Sequence, residues 1–327
     1  QKKTKGWSWQ TYWLMQASIC WLILPLIVAY LTIPQLQQVL TEAPASAMTS
    51  SFCWGMLYGI GGTAFGLAIR YIGFSLTYAI SVGISCVLGT LLPPLYEGKL
   101  ATILQGSGGN VIVTGIAAGA IGIILCGWAG RLKEKDYEDQ QREKSGYSFS
   151  IGIALCILAG VLSAFYGFAL FRGQPIADVA AKYGAGHFQG NVIYIFSNTG
   201  AFVTTALYCI YLHSKQKTWK EYKTILPENT GNAKWLGMNY GLAILTGILW
   251  YTQFFFYGLG HTRMGAYKFT SWAIHMIMLV LISAVIGIIL KEWTGVKKHT
   301  TRMLTLALFV LVVAVLIITY GNYLGGN

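Results

Sequence analysis

Three side chains that combine aromatic rings with an amide stand in one uncharged stretch, residues 235–260. Trp250, Gln253 and Tyr257 are three and four residues apart, so a helix places them on one face. The Gln253 amide offers two donors and one acceptor carbonyl, which suits sugar hydroxyls, and the flat rings suit the apolar face of a sugar. The same rings could instead form an interfacial belt or pack the interior. We predict that these three residues contact substrate.

His275 is the only ionisable side chain well inside another uncharged stretch, residues 269–290. The ordinary pKa of an imidazole, about 6.5, allows it to take up a proton near physiological pH. We therefore predict that His275 is the proton-coupling group. The alternative is a neutral histidine that hydrogen-bonds a neighbouring helix.

Tyr58 and Asn198 add hydrogen-bonding groups in two further uncharged stretches. Polar groups inside a membrane are costly unless they are paired, so they tend to face a cavity. The predicted pathway is lightly polar, aromatic and nearly uncharged. Such a pathway fits a neutral polyol or sugar better than an ion or a nucleotide.

The elements that carry these residues are long apolar segments. Of the 327 residues, 55% are hydrophobic and only 10% are charged. Each segment reaches the roughly 20 residues of a bilayer-spanning helix, and runs this continuous exclude the alternating strands of a barrel. We predict an all-α, polytopic transmembrane helical bundle with nine spans, at 10–32, 50–69, 73–94, 110–130, 149–171, 188–212, 235–259, 269–290 and 302–323.

The net charge of +12 is explained by membrane topology. Alternate connections carry 18 Lys and Arg residues on one side of the bilayer and 5 on the other. Cytoplasmic loops collect these residues, which puts the start of the chain inside and the C-terminus outside, in the periplasm. Nucleic acid is therefore not expected as a partner.

Several function classes are disfavoured. The sequence has no paired intramembrane carboxylates and no HExxH, Walker A, GxSxG or CxxC motif. The six cysteines have no metal-ligand spacing. We expect neither an enzyme nor a metal site nor an organic cofactor.

The domain organisation predicts an internal repeat. Residues 1–130 hold four spans and residues 148–327 hold five, separated by a charged cytoplasmic linker at 131–147. Inverted-repeat transporters consist of two equal halves, so we expect ten helices in the full-length protein, with one before residue 1. Glycines at equal spacing in GLAIRYIG (66–73) and GLGHTRMG (258–265) match weakly between the halves.

Longer motifs carry a resemblance to a known family. They are WGMLYGIGGTAFGLAIRYIG (54–73), VLGTLLPP (87–94), LWYTQFFFYGLGHTR (249–263), TSWAIHM (270–276) and IILKEW (288–293). The combination is similar to the L-rhamnose–proton symporter family of the drug/metabolite transporter superfamily, nearly end to end.

The resemblance implies an inverted-repeat carrier that imports L-rhamnose, or a related deoxysugar, with H⁺ by alternating access. Na⁺ is the alternative coupling ion. Trp272 occupies a motif position and joins the expected substrate site. We expect a multi-pass protein of the bacterial inner membrane, surrounded by lipid and either monomeric or homodimeric. Another small metabolite as substrate, or a membrane sugar receptor that does not transport, are the alternatives.

Overall fold

Nine helices long and apolar enough to span a membrane are present in the part of the chain that the structure describes. The computed structural model describes residues 4–138, 149–224, 232–264 and 269–326. The predicted all-α fold is confirmed. The helices are α1 (Trp9–Thr32), α2 (Ala45–Ile72), α3 (Phe74–Tyr96), α4 (Gly109–Glu138), α5 (Phe149–Lys182), α6 (Asn191–Gln216), α7 (Asn232–His261), α8 (Ser271–Ile289) and α9 (Lys298–Gly326).

Short helices lie in the connections between the spans. Leu36–Glu42 and Leu100–Gln105 are α-helical, and Gly186–Phe188 and Thr218–Tyr222 are 3₁₀ turns. Helix α4 continues to Glu138, so it includes the first residues of the predicted linker at 131–147. Residues 139–148 lie outside the described part of the chain, so the rest of that linker stays a prediction.

The chain forms two compact units, and each draws on both halves of the sequence. Unit 1 consists of residues 1–60 and 169–263, and unit 2 of residues 61–168 and 264–327. Helices α2 and α5 each contribute a segment to both units. The predicted halves, one with four spans and one with five, describe an internal repeat, which is a different division from the two compact units. This division stays a prediction.

In unit 2, glycines let α4 and α9 pack closely along their length. A Cβ atom at Gly115 would lie 2.9 Å from the backbone nitrogen of Ile318, and one at Gly122 would lie 2.7 Å from Leu311 Cδ2. Towards the other end of the pair, a Cβ atom at Gly108 would lie 2.2 Å from the Gly321 carbonyl oxygen. The helices are therefore antiparallel. Small residues let their backbones approach closely, which favours association where no hydrophobic force acts between helices in lipid.

In unit 1, glycines and threonines join α2 to α6. The space beside Gly55 is occupied by the Ser197 carbonyl, 2.0 Å from where a Cβ atom would stand. Thr204 Oγ1 donates to the Met56 carbonyl at 3.0 Å, and Thr205 Oγ1 donates to the Gly59 carbonyl at 3.3 Å. These glycines therefore serve close packing on an unbroken helix.

Helix α1 is fixed at its start by a buried carboxylate. Glu221 Oε2 accepts hydrogen bonds from the Ser8 backbone N–H at 2.7 Å, the Ser8 hydroxyl at 2.8 Å and the Thr11 hydroxyl at 2.5 Å. A negative charge at a helix N-terminus is favourable because it faces the free N–H groups of the first turn. Glu221 therefore holds α1 against the connection between α6 and α7.

Large apolar side chains are exposed along the spans, as lipid contact requires. Ile124, Leu207, Leu249, Phe309 and Leu316 are each more than half exposed. Soluble proteins rarely expose apolar surface on this scale. The exposed positions therefore support the membrane assignment independently of hydropathy.

The α4–α9 contact gives a test of packing. Gly115→Ala should lower the free energy of unfolding by about 1–3 kcal/mol, because the new methyl group would overlap Ile318 in a packed interface. Thermal denaturation of the purified protein in detergent measures this. Gly241→Ala is the matched control, since no atom lies within 4 Å of a Cβ atom built there. Equal stability of the two variants would contradict the packing.

Candidate functional site

A continuous series of aromatic rings runs through unit 1. Neighbouring ring centroids lie between 5.2 and 6.4 Å apart, within the range of favourable aromatic pairs. We call this series the aromatic chain. Its members, in order of contact, are Tyr208, Trp9, Trp13, Trp250, Trp21, Tyr58, Phe254, Tyr194 and Tyr251.

A π-helical segment in the middle of α1 positions Trp21. Residues Ser18–Ile23 form this segment between α-helical stretches, and the Leu24 N–H bonds the Ile19 carbonyl, five residues back. Such segments are rare and often occur at functional sites. Trp21 is 1% exposed, and its ring contacts Tyr58 at 5.8 Å and Trp250 at 6.1 Å.

Helix α7 directs one face into the aromatic chain. Trp250, Tyr251 and Phe254 lie on this face, and the last two are buried. Gln253 is half-buried, since it is turned about 100° from Phe254 on the helix. The Trp250 indole nitrogen lies near the Tyr58 hydroxyl without meeting hydrogen-bond geometry. The predicted Trp250 and Tyr58 thus belong to one cluster, with Gln253 at its edge.

Asn198 lies beside the same cluster, and Tyr257 contacts His261 on α7. The Tyr257 ring stacks on His261 at 5.5 Å, with its hydroxyl 3.5 Å from Nδ1. Asn198 is fully buried on α6, one turn from Tyr194, whose hydroxyl donates to the Phe254 carbonyl at 2.7 Å. Unit 1 therefore holds five of the seven predicted site residues.

Trp272 and His275 belong to unit 2. The Trp272 indole N–H donates to the Ser85 carbonyl at 2.9 Å, and the ring fills the space beside Gly89, where a Cβ atom would lie 2.3 Å from Nε1. His275 is half-buried with its ring centroid 5.9 Å from that of Trp272. Trp272 is thus held by its own unit, and His275 lies next to it.

The LKEW motif (290–293) closes a small cavity in unit 2. The cavity measures about 130 Å³ and is lined by residues of α3, α4, α8 and the motif. Lys133 Nζ lies 3.7 Å from Glu292 Oε2 and 4.6 Å from the centre of the Trp293 ring. Lys133 is thereby placed between the carboxylate and the indole. Within the described ranges, no group of three His, Cys, Asp or Glu side chains could hold a metal ion.

Three buried polar residues of unit 1 were not predicted from the sequence. Gln16, Trp21 and Tyr251 are 3%, 1% and 3% exposed. Gln16 and Trp21 stand in an apolar run. An α-helical wheel does not place them on one face, because the π-helical segment changes the angular spacing of the residues. Tyr251 adjoins Trp250 in the aromatic stretch that was predicted to contact substrate, so its position in the sequence could have identified it.

Comparisons with known proteins agree over nearly the whole chain. The family model of the L-rhamnose-proton symport protein matches residues 1–323. The chain belongs to this family. It is 31% identical to the L-rhamnose-proton symporter of Cronobacter sakazakii over 98% of the chain and 91% of that protein. Identity to the symporters of Escherichia coli O1:K1 and Klebsiella pneumoniae is also 31%, over 98% of the chain and 92% of each.

Membership of the L-rhamnose-proton symport family confirms the resemblance found in the motifs. It also establishes a multi-pass membrane transport protein, in agreement with the nine apolar helices of the described chain. The LKEW and SWxxHM motifs belong to unit 2, whereas WYxQFFFY belongs to unit 1. The motifs that carry the resemblance are therefore shared between the units.

The different surroundings of Trp272 and Gln253 give a second test. Trp272→Phe should destabilise the protein by about 1–3 kcal/mol, because the buried Ser85 carbonyl loses its donor. Gln253→Ala should change stability by less than about 0.5 kcal/mol, since no described residue hydrogen-bonds its amide. Thermal denaturation of both variants measures this. A stable Trp272→Phe protein would show that the indole bond contributes little.

Proposed function

We propose that this protein is a secondary active transporter that imports L-rhamnose, or a closely related deoxysugar, together with H⁺. Full-length similarity to proteins named L-rhamnose-proton symporters supports the substrate and the ion. The aromatic chain of unit 1 supports a neutral, ring-shaped solute. Transport rather than catalysis is the activity that we assign.

The observation that carries this function is a buried aromatic cluster built from uncharged segments of three helices. The Trp21 ring contacts those of Tyr58 and Trp250. The segments that supply these residues, 11–32, 51–69 and 235–260, contain no Asp, Glu, Lys or Arg. Binding sites combine apolar and aromatic walls with a few placed polar groups. Without a charged partner, such a site favours a polyol over an ion or a nucleotide.

Coupling is assigned to His275. The Trp272 ring packs beside it in unit 2, and a histidine inside a membrane span can cycle between neutral and protonated forms. Sugar and proton would then be carried together through alternating access. We propose H⁺ as the coupling ion, with Na⁺ as the alternative, and no organic cofactor or metal.

The location and orientation follow from the charge distribution. We propose the bacterial inner membrane, with the C-terminus in the periplasm, because the Lys- and Arg-rich connections mark the cytoplasmic side. The protein would act as a monomer or a homodimer, with the lipid bilayer and the sugar as its partners and no nucleic acid.

The direct test is uptake of radiolabelled L-rhamnose by proteoliposomes. An inward proton gradient should increase both the initial rate and the accumulation above equilibrium, because the gradient drives sugar entry. Na⁺ gradients and a panel of competing sugars serve as controls. Stimulation of uptake by a Na⁺ gradient alone would show that Na⁺, and not H⁺, is the coupling ion. Sugar binding without counterflow would indicate a receptor, and no interaction with any sugar would overturn the function.

His275→Gln tests the coupling assignment. Glutamine keeps hydrogen-bonding capacity but cannot take up a proton in this pH range. We expect gradient-driven accumulation to be lost while sugar counterflow at equal pH persists. His187→Gln is the matched control, since His187 is exposed outside the long helices. Accumulation that survives in His275→Gln would remove this residue from the coupling mechanism.

A further inference from the structure

We infer that Gln16, Trp21 and Tyr251 form a hydroxyl-binding subsite, centred on the π-helical segment of α1, that contacts and selects the transported sugar. The inference rests on the proposed function and names the residues that recognise the hydroxyl groups of the substrate. Tyr251 lies within the motif at 249–263, whereas Gln16 and Trp21 lie outside the motifs that carry the resemblance.

Buried donors without partners are the first observation. Trp21 Nε1 and Tyr251 Oη are inaccessible to solvent and have no hydrogen-bond partner among the described residues. Likewise, no residue of the described ranges hydrogen-bonds the Gln16 side chain, which is 3% exposed. Buried polar groups are nearly always bonded, so unbonded ones require an explanation.

The contrast with nearby hydroxyls shows that the helices can satisfy their own polar groups. Tyr194 donates to the Phe254 carbonyl at 2.7 Å, and Tyr12 contacts Thr246 Oγ1 at 2.7 Å. Both partners lie on α7, the helix that also carries Tyr251. Trp9, Trp13 and Trp250 of the aromatic chain also have buried indole N–H groups without a partner among the described residues. The Trp21 and Tyr251 donors therefore belong to a cluster of unbonded donors in unit 1.

The three residues lie on two helices that pack together. Cys20 adjoins Trp21 in the π-helical segment, and the Trp21 ring lies 6.1 Å from that of Trp250, the neighbour of Tyr251 on α7. Gln16 is one turn before Cys20, and the Gln16 carbonyl lies 2.9 Å from where a Cβ atom at Gly247 would stand. Helices α1 and α7 thus pack together here, with Gln16, Trp21 and Tyr251 on the two contacting helices.

The donors and acceptors define the ligand class. The indole provides one donor, the phenol provides a donor and an acceptor, and the amide provides both. A vicinal diol on a sugar ring satisfies such a set, and the rings of Tyr58 and Trp250 beside Trp21 offer apolar surface to the ring carbons. No charge is present in these segments to hold an anion or a cation.

Tyr251→Phe removes one hydroxyl and leaves the ring. We expect KM for the sugar to rise by about ten- to a hundredfold, because a bonded substrate hydroxyl loses its partner. The variant should also discriminate less against the one monodeoxy analogue that lacks that hydroxyl. Sugar-free thermal stability should be unchanged or higher, since the deleted hydroxyl bonds nothing in the described chain.

Tyr12→Phe is the matched control, because it removes a buried hydroxyl that bonds Thr246 within unit 1. This control should lose stability and keep its KM and its ranking of analogues. Trp21→Phe and Gln16→Leu should behave like Tyr251→Phe, each affecting recognition of a substrate hydroxyl.

Wild-type uptake of a sugar panel separates the two proposals. If the wild type transports a sugar while Tyr251→Phe, Trp21→Phe and Gln16→Leu all keep KM within twofold, the subsite is wrong and the transporter function stands. If the wild type neither binds nor transports any sugar of the panel, the proposed function fails and the subsite fails with it.

Discussion

The hydrocarbon of a bilayer offers no partner to a polar group, and this constraint governs the described structure. Every backbone group in a span must be bonded within the chain, which leaves helices as the structural solution. Side-chain hydroxyls follow the same requirement. Thr90, Thr114 and Thr319 each donate to the carbonyl four residues back on their own helix. Unbonded donors in such surroundings are therefore informative about function.

The spans were predictable because lipid imposes a continuous apolar run, and their ends were less so. The first span was expected at 10–32 and found at Trp9–Thr32, whereas the span expected at 149–171 continues to Lys182. That extension carries Arg172, which donates to Ser50 Oγ at 3.2 Å, and Asp178, which accepts from Gln174. Hydropathy predicts where the membrane segment ends. The helix continues beyond that point, where polar side chains form hydrogen bonds.

The candidate site was only partly predictable for a different reason. Regular helical spacing applies to Trp250 and Tyr257, since α7 is unbroken, and their shared role in the site stays a prediction. Regular spacing failed on α1, because a π-helical segment changes the angle between residues, and nothing in the letters SICWLI signals that change. Which unit each residue joins was also beyond the sequence, since unit 1 and unit 2 each combine distant parts of the chain. Trp272 and His275 therefore became a separate group only in the structure.

The π-helical turn also bears on how α1 tolerates changes in its length. An α-helix advances about 100° per residue, and the wider turn at Ser18–Ile23 accommodates one residue more than an α-helical turn does. Deleting one residue there would restore ordinary hydrogen bonding and shift the side chains of the wide turn, Trp21 among them, relative to Trp9 and Trp13. Insertions and deletions within this short stretch are thus constrained by the aromatic series on both sides. The number of residues in this turn is therefore constrained separately from the types of residue that occupy it.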